Sequence, residues 1–231
     1  MKFPILLPNI FNHPFTYESD LKLKIGDFVE VSFGKSKIIG VVWDEFEKEN
    51  QKKFQIKKII KKINVPSLKK DMILFLNWFS EYNIVPKGMA LKLVLLSGKP
   101  AKIFENKFYE SYSKISHLNL LRLTTEQKKC LNQLNNSNKK FNVHVLQGTT
   151  GSGKTFVYFE ALKNVLEKGN QGLIMLPEIG LTNQFEKKFI EFFGFQPAIW
   201  HSGITKKNKE IIWSGVIKGN VRVVIVARSY F

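Results

Sequence analysis

The chain has 231 residues, 44% of them hydrophobic, which is enough apolar content for a packed core and excludes global disorder. Lysine and arginine number 36 against 19 acidic residues, and the resulting formal net charge of +17 favours a polyanionic partner such as nucleic acid. A single cysteine, Cys130, excludes an internal disulfide framework and a cysteine-based zinc site within these residues. No apolar run is long enough to cross a bilayer, and a proline breaks the short apolar opening, so the expectation is a cytoplasmic protein with no membrane partner.

Only Arg122, Arg222 and Arg228 are arginine, and Phe, Ile and Asn are abundant, a bias that genome base composition can also produce. Clustering argues better than the total. Residues 51–70 hold eight lysines and no carboxylate, a stretch that reads either as a nucleic-acid contact or as a solvated basic face.

In chain order, the first ~65 residues read as β-rich. Residues 27–31 and 38–43 are strand-like runs separated by a turn signal around Gly34, and residues 55–63 fit a strand or a short helix. Ser67 is a plausible N-cap for a helix in which Leu68, Met72, Phe75, Leu76 and Phe79 share one face, a stripe expected to be core. Gly98-Lys-Pro100 marks a break, and residues 98–122 form a polar connector. From Leu123 the pattern changes to alternating elements: strands at 142–146, 172–176, 198–201 and 221–226, helices at 154–168, 182–193 and 205–218. Such alternation implies a parallel sheet with helices on both faces, whose ligands bind at the carboxyl ends of the strands.

Between the first of those strands and the first of those helices lies Gly148-Thr149-Thr150-Gly151-Ser152-Gly153-Lys154-Thr155, which fits G-x-x-x-x-G-K-[ST] at every fixed position. A strand, a glycine-rich turn and a helix N-terminus together present backbone N–H groups and the helix dipole to a triphosphate. Lys154 is expected to reach the β- and γ-phosphates of ATP, and the Thr155 hydroxyl to take one Mg²⁺ position. Upstream, Gln127 in Leu123-Thr-Thr-Glu-Gln127 has an amide able to read an adenine edge, one end donating and the other accepting.

Three further segments sit at the ends of later strands: Pro177-Glu-Ile-Gly-Leu-Thr182-Asn-Gln184, His201-Ser202-Gly203 and Ala227-Arg228-Ser229. With the phosphate loop, Tyr158, Trp213 and Phe231, their order resembles the first RecA-like lobe of superfamily 2 helicases, and more narrowly the PriA (primosomal protein N′) family of replication-restart helicases. Ahead of them, Phe15-Thr-Tyr17, Val31-Ser-Phe-Gly34, Gly40-Val-Val42 and Pro86-Lys-Gly-Met89 resemble that family's small DNA-binding β-barrel. The resemblance implies an α/β chain: a barrel-like 3′-end-binding domain over 1–97, a connector over 98–122, and a partial parallel helicase lobe over 123–231. By position it makes Phe15, Tyr17, Gly34 and Lys57 the lining of a pocket for a DNA 3′ end, an aromatic ring stacking the terminal base irrespective of its identity. It assigns Thr182, Ser202, Arg228 and Ser229 to the backbone of single-stranded DNA, with His201 beside them.

The same resemblance implies an ATP- and Mg²⁺-dependent 3′-to-5′ DNA helicase of replication restart, acting on forked and single-stranded DNA. Its partners in the full-length family are other primosome proteins and single-strand-binding protein. The family's Asp-Glu-Glu-His box, its second lobe, its zinc-binding cysteines and its inserted winged helix have no counterpart in these residues, so the expectation is a fragment that binds DNA and nucleotide without unwinding. The alternatives are a DNA-binding module with an inert motor remnant, or another superfamily 2 translocase.

Overall fold

The computed structural model describes residues 1–46, 56–96, 99–100, 123–136, 141–177 and 182–227, with the side chain of Thr182 excepted. The chain divides into two compact units, Met1–Ile103 and Phe104–Phe231.

The first unit is built on five strands: β1 (Lys2–Leu6), β2 (Phe15–Glu18), β3 (Phe28–Phe33), β4 (Ser36–Val42) and β5 (Lys57–Lys62). They close into a barrel in the order β1-β2-β5-β3-β4, β4 returning to pair with β1. β5, which the sequence left between strand and helix, is a strand because it runs parallel to β2 and antiparallel to β3. Closure leaves no strand edge, the most complete protection a small sheet can have. Gly34 starts the two-residue β3–β4 turn with φ of 59°, the positive value that primed hairpin turns require. Ile5, Leu7, Tyr17, Val29, Val31, Val42 and Ile59 fill the interior.

Helices α1 (Lys70–Tyr82) and α2 (Lys87–Leu91) pack outside, where Leu6, Phe28, Trp43, Ile73, Leu76 and Leu91 form a second core. Two expectations are corrected here. The helix begins at Lys70 and Ser67 does not cap it, because the Ser67 hydroxyl donates to Asp27 Oδ1 at 2.6 Å, a carboxylate forty residues away. Nor is the apolar stripe wholly core: Ile73 and Leu76 are buried, whereas Met72 and Phe75 are exposed along with Trp78. Trp78 stacks on Tyr82 at 5.1 Å, and Phe75 lies 5.9 Å from Trp78.

The second unit contains α3 (Thr125–Asn135), α4 (Lys154–Glu167), β6 (Gly172–Leu176), α5 (Thr182–Phe193), β7 (Ala198–Trp200), α6 (Lys206–Lys218) and β8 (Val223–Ala227). Its sheet is parallel, in the order β6-β8-β7. Alternation along β8 sorts the helices onto two faces. Val223 and Ile225 join Phe159, Phe189 and Phe193 from α4 and α5, whereas Val224 joins Ile212 and Trp200 under α6.

The strand expected at 142–146 is not formed. Residues 141–147 have no ladder partner, and Val145 is 90% exposed. A parallel strand buried on both faces needs a neighbour, and β6 pairs with β8 alone among the described residues.

Candidate functional site

The position of α4 in its layer decides where the phosphate loop lies. Arg222, just before β8, donates from Nη2 to the carbonyls of Leu166 and Asn170, tying the C-terminal end of α4 to the starting edge of the sheet. The N-terminal end of α4, with the loop 148–153, therefore lies toward the opposite edge, where the strands end. That is the ligand-binding edge of a parallel α/β sheet.

Gly153 caps α4 in the left-handed region at φ 78°, and Gly151 has φ 82° with open space where a Cβ would stand. Gly151 and Gly153, at positive φ on either side of Ser152, turn the loop into the N-terminus of a 14-residue helix, a local geometry suited to an anion. Lys154 folds back onto the loop: Nζ donates to the carbonyl oxygens of Gly148 at 2.6 Å and Thr149 at 2.7 Å. An ammonium satisfied only by two neutral carbonyls has a better acceptor in a phosphate oxygen, because a fully charged hydrogen bond is stronger. The Thr155 hydroxyl accepts from Tyr158 Oη at 3.2 Å. These groups fit a nucleotide's phosphates and, at Thr155, the metal that accompanies them.

Gln127 departs from its expected role. Thr124 and Gln127 form a reciprocal capping box at the start of α3, with Thr124 N–H donating to Oε1 at 2.9 Å. The other end of the amide, Nε2, donates to the Ser152 carbonyl at 3.1 Å. Both ends are engaged, so in this conformation Gln127 joins α3 to the phosphate loop and presents no free amide to a base. The positive φ requires glycine at 153, and a Cβ there would also push aside the end of the Gln127 side chain.

At the barrel, Phe15, Gly34 and Lys57 lie at one end, since β2 and β5 begin there and β3 ends there. Phe15 is half-buried and packs against Phe11 and Phe33 at 5.2 Å and His13 at 4.9 Å, an aromatic mouth of which the sequence pointed only to Phe15. Gly34 has nothing near its Cα on the side-chain face, and Lys57 is exposed. Tyr17 is the correction. It is 4% exposed inside the barrel, its hydroxyl donates to the Ser32 carbonyl at 3.0 Å, and burial raises the phenol's pKa. Tyr17 supports the mouth from below and does not line it.

In the second unit the three parallel strands end level, Leu176 beside Ala227 and Trp200 beside Val226. Thr182 opens α5 and Ser202 is exposed beyond β7, so both follow strand ends on the edge that carries the phosphate loop. His201 Nδ1 accepts the Gly203 N–H at 3.1 Å, and Lys209 Nζ approaches the Ser202 carbonyl at 3.4 Å. Arg228 and Ser229 lie outside the described residues, as do Glu178 and Phe231. Among the described residues no group of His, Cys, Asp and Glu side chains is arranged to hold a metal, and no helix is long and apolar enough to span a membrane.

Comparison with known proteins divides the chain along the same lines. Residues 4–96 match the family described as 3′DNA-binding domain (3′BD) of PriA, and residues 120–229 match the family described as Type III restriction enzyme, res subunit. The replication restart protein PriA of Rickettsia conorii is 37% identical over 230 residues, covering 97% of this chain and 34% of that protein. The chain belongs to the PriA family. The PriA protein of Rickettsia prowazekii is 38% identical over the same length, and that of Bacillus subtilis is 37% identical over 111 residues. The chain spans about a third of the length of the Rickettsia relatives, whose alignments run through barrel and α/β unit alike.

Proposed function

We propose that these residues form the DNA-end-binding barrel and the nucleotide-binding half-site of an ATP-dependent 3′-to-5′ DNA helicase that restarts replication at stalled forks. The observation that carries the reading is the glycine loop 148–153 at the strand-end edge of a parallel sheet, with Lys154 held on carbonyls that a phosphate would displace.

In this reading ATP supplies the free energy and Mg²⁺ neutralises its phosphates. The backbone of Gly148 to Gly153 would hold the phosphates, Lys154, now on the Gly148 and Thr149 carbonyls, would neutralise them, and Thr155 would be the residue to hold the metal. Gln127 holds the loop in register with α3, and it meets the adenine only by exchanging its bond to Ser152 for one to the base. Thr182 and Ser202 would take the backbone of single-stranded DNA at the same edge, and Arg228 and Ser229, outside the described residues, are assigned to that backbone by the family resemblance alone. None of the strands β6, β7 and β8 ends in a carboxylate that could orient an attacking water, so in this reading the described residues bind nucleotide without turning it over quickly. Primosome proteins and single-strand-binding protein are partners of the complete protein.

At the barrel, Phe15 with Phe11 and Phe33 stacks the terminal base of a 3′ end, Lys57 neutralises phosphate, and Gly34 admits the sugar closely. The test is binding of forks with a free 3′-OH against forks blocked by a 3′-phosphate, with and without nucleotide. Preference for the free end that Phe15→Ala removes, and nucleotide affinity that Lys154→Ala removes, support the reading. Equal affinity for both forks would refute the end-binding assignment. ATP turnover by these residues alone above about 1 s⁻¹, in the ordinary enzyme range, would refute the expectation of slow turnover.

A further inference from the structure

We propose that Tyr158 is the positioning residue for the metal-binding hydroxyl of Thr155, fixing that hydroxyl before the nucleotide arrives. The proposal rests on the nucleotide reading above and adds a residue to it.

Tyr158 stands one helical turn after Thr155 on α4, the spacing at which side chains of a helix meet. Its hydroxyl donates to Thr155 Oγ1 at 3.2 Å. In a first helical turn a threonine hydroxyl has competing partners, because rotation about χ1 carries it between solvent and the backbone carbonyls of the preceding turn. The bond from Tyr158 removes that freedom. A hydroxyl oxygen has two lone pairs and one proton. Tyr158 takes one lone pair, the second remains for a cation, and the threonine proton is left to donate to a phosphate oxygen.

The phenol can do this because its ring is itself immobilised. It stacks on Phe185 of α5 with an interplanar angle of 13° and a centroid distance of 6.2 Å, and it meets Phe159 edge-on at 5.4 Å. Phe185 also meets Phe159 edge-on at 5.4 Å, and Phe159 is fully buried. Thus the body of Tyr158 is rooted in the aromatic core while its tip reaches the nucleotide loop, the division of labour that suits tyrosine. Phenylalanine would fill the same space, so the packing alone gives no reason for the hydroxyl. The contact to Thr155 does.

The test measures binding of a fluorescent ATP analogue to the 231-residue chain in Mg²⁺ and in EDTA, together with thermal melting. Wild type is expected to bind more tightly in Mg²⁺. Tyr158→Phe is expected to shrink that Mg²⁺-dependent gain by about three- to tenfold, the effect of one hydrogen bond, with affinity in EDTA and melting temperature unchanged. In a Thr155→Ala background, Tyr158→Phe is expected to do nothing further, because the group it positions is gone. An undiminished Mg²⁺ gain in Tyr158→Phe overturns the proposal, as does an equal loss in the Thr155→Ala background. Loss of affinity in EDTA also overturns it, since that would be a packing effect. If wild type binds no nucleotide in either buffer, the nucleotide reading falls and takes this inference with it.

Discussion

The two units satisfy their backbones in opposite ways. In the barrel every strand has neighbours on both sides, so the sheet closes on itself and leaves no strand edge. Among the described residues of the α/β unit the sheet ends at β6, where Leu173 and Met175 are 64% and 75% exposed, and residues 141–147 before the phosphate loop join no ladder. The contrast teaches that a closed barrel satisfies its strands by itself, whereas a parallel sheet buries its strands only where neighbours stand on both sides. The phosphate loop keeps its shape because Gln127, Lys154 and Gly153 hold it locally, without a finished sheet beneath it.

The largest effect that would sharpen this contrast is a cavity in the barrel. Leu6 is fully buried between the barrel and its helices. Leu6→Ala should cost about 2–5 kcal/mol, read as a lower denaturation midpoint for the cooperative transition of the first unit. If the two units are as independent as their separate cores imply, nucleotide affinity at Lys154 is unchanged. A matching loss there would break the comparison.

Next in size is the barrel mouth. Phe15→Ala should weaken binding to a free 3′ end by about 1–3 kcal/mol, the worth of one base–aromatic stack, and Phe11→Ala should weaken it less, with fluorescence anisotropy as the measurement. Tyr17→Phe removes only the bond to the Ser32 carbonyl. It should lower barrel stability by about 1 kcal/mol and leave DNA affinity intact, which separates a supporting residue from a lining one.

Much of this was legible in the sequence, for local reasons. β6 and α5 fall at the residues their patterns gave, because a sharp apolar run and an amphipathic face are each bounded by clear punctuation. What was not legible depends on distant partners. Ser67 looked like a helix cap until Asp27 captured its hydroxyl. Tyr17 reads as a binding aromatic, but it shares the inward face of β2 with Phe15, and only its deeper place in the closed barrel seals it off. Gln127 carries one local signal, a capping box, while its contact to Ser152 comes from twenty-five residues away, and no pattern ranks either against an adenine edge. Residues 142–146 have the composition of a strand, and composition cannot say whether a neighbour is present.

Asp27 gives a smaller, pH-dependent effect confined to the barrel. Its carboxylate is almost fully buried, and burial alone would raise its pKa. Hydrogen bonds from Lys62 at 2.6 Å, from Ser67 and from the Lys24 N–H outweigh burial, so the pKa lies below the usual aspartate value. A carboxyl group depressed in the folded state stabilises above its unfolded pKa, and that contribution is lost as pH falls through the folded value. Barrel stability should therefore be flat from neutral pH to about pH 4 and then fall. Asp27→Asn should lower the plateau by about 1–2 kcal/mol and flatten the acid limb. An acid limb identical in wild type and variant would contradict this assignment.

The smallest expected effect on stability is the most informative about the open sheet. Leu173 and Met175 project from one face of β6, opposite the Ile174 and Leu176 side chains that pack under α4 and α5. Replacing both by lysine buries no charge and removes no core contact, so the melting temperature should move by less than about 0.5 kcal/mol in equivalent free energy. Self-association should change more. An exposed apolar strand at a sheet edge is a template for another chain, and charge on that edge blunts it. Sedimentation velocity should show less concentration-dependent association for Leu173→Lys/Met175→Lys than for wild type. Were the double variant instead to unfold, those side chains would have partners within these residues, and the sheet would be more complete than its strand order indicates.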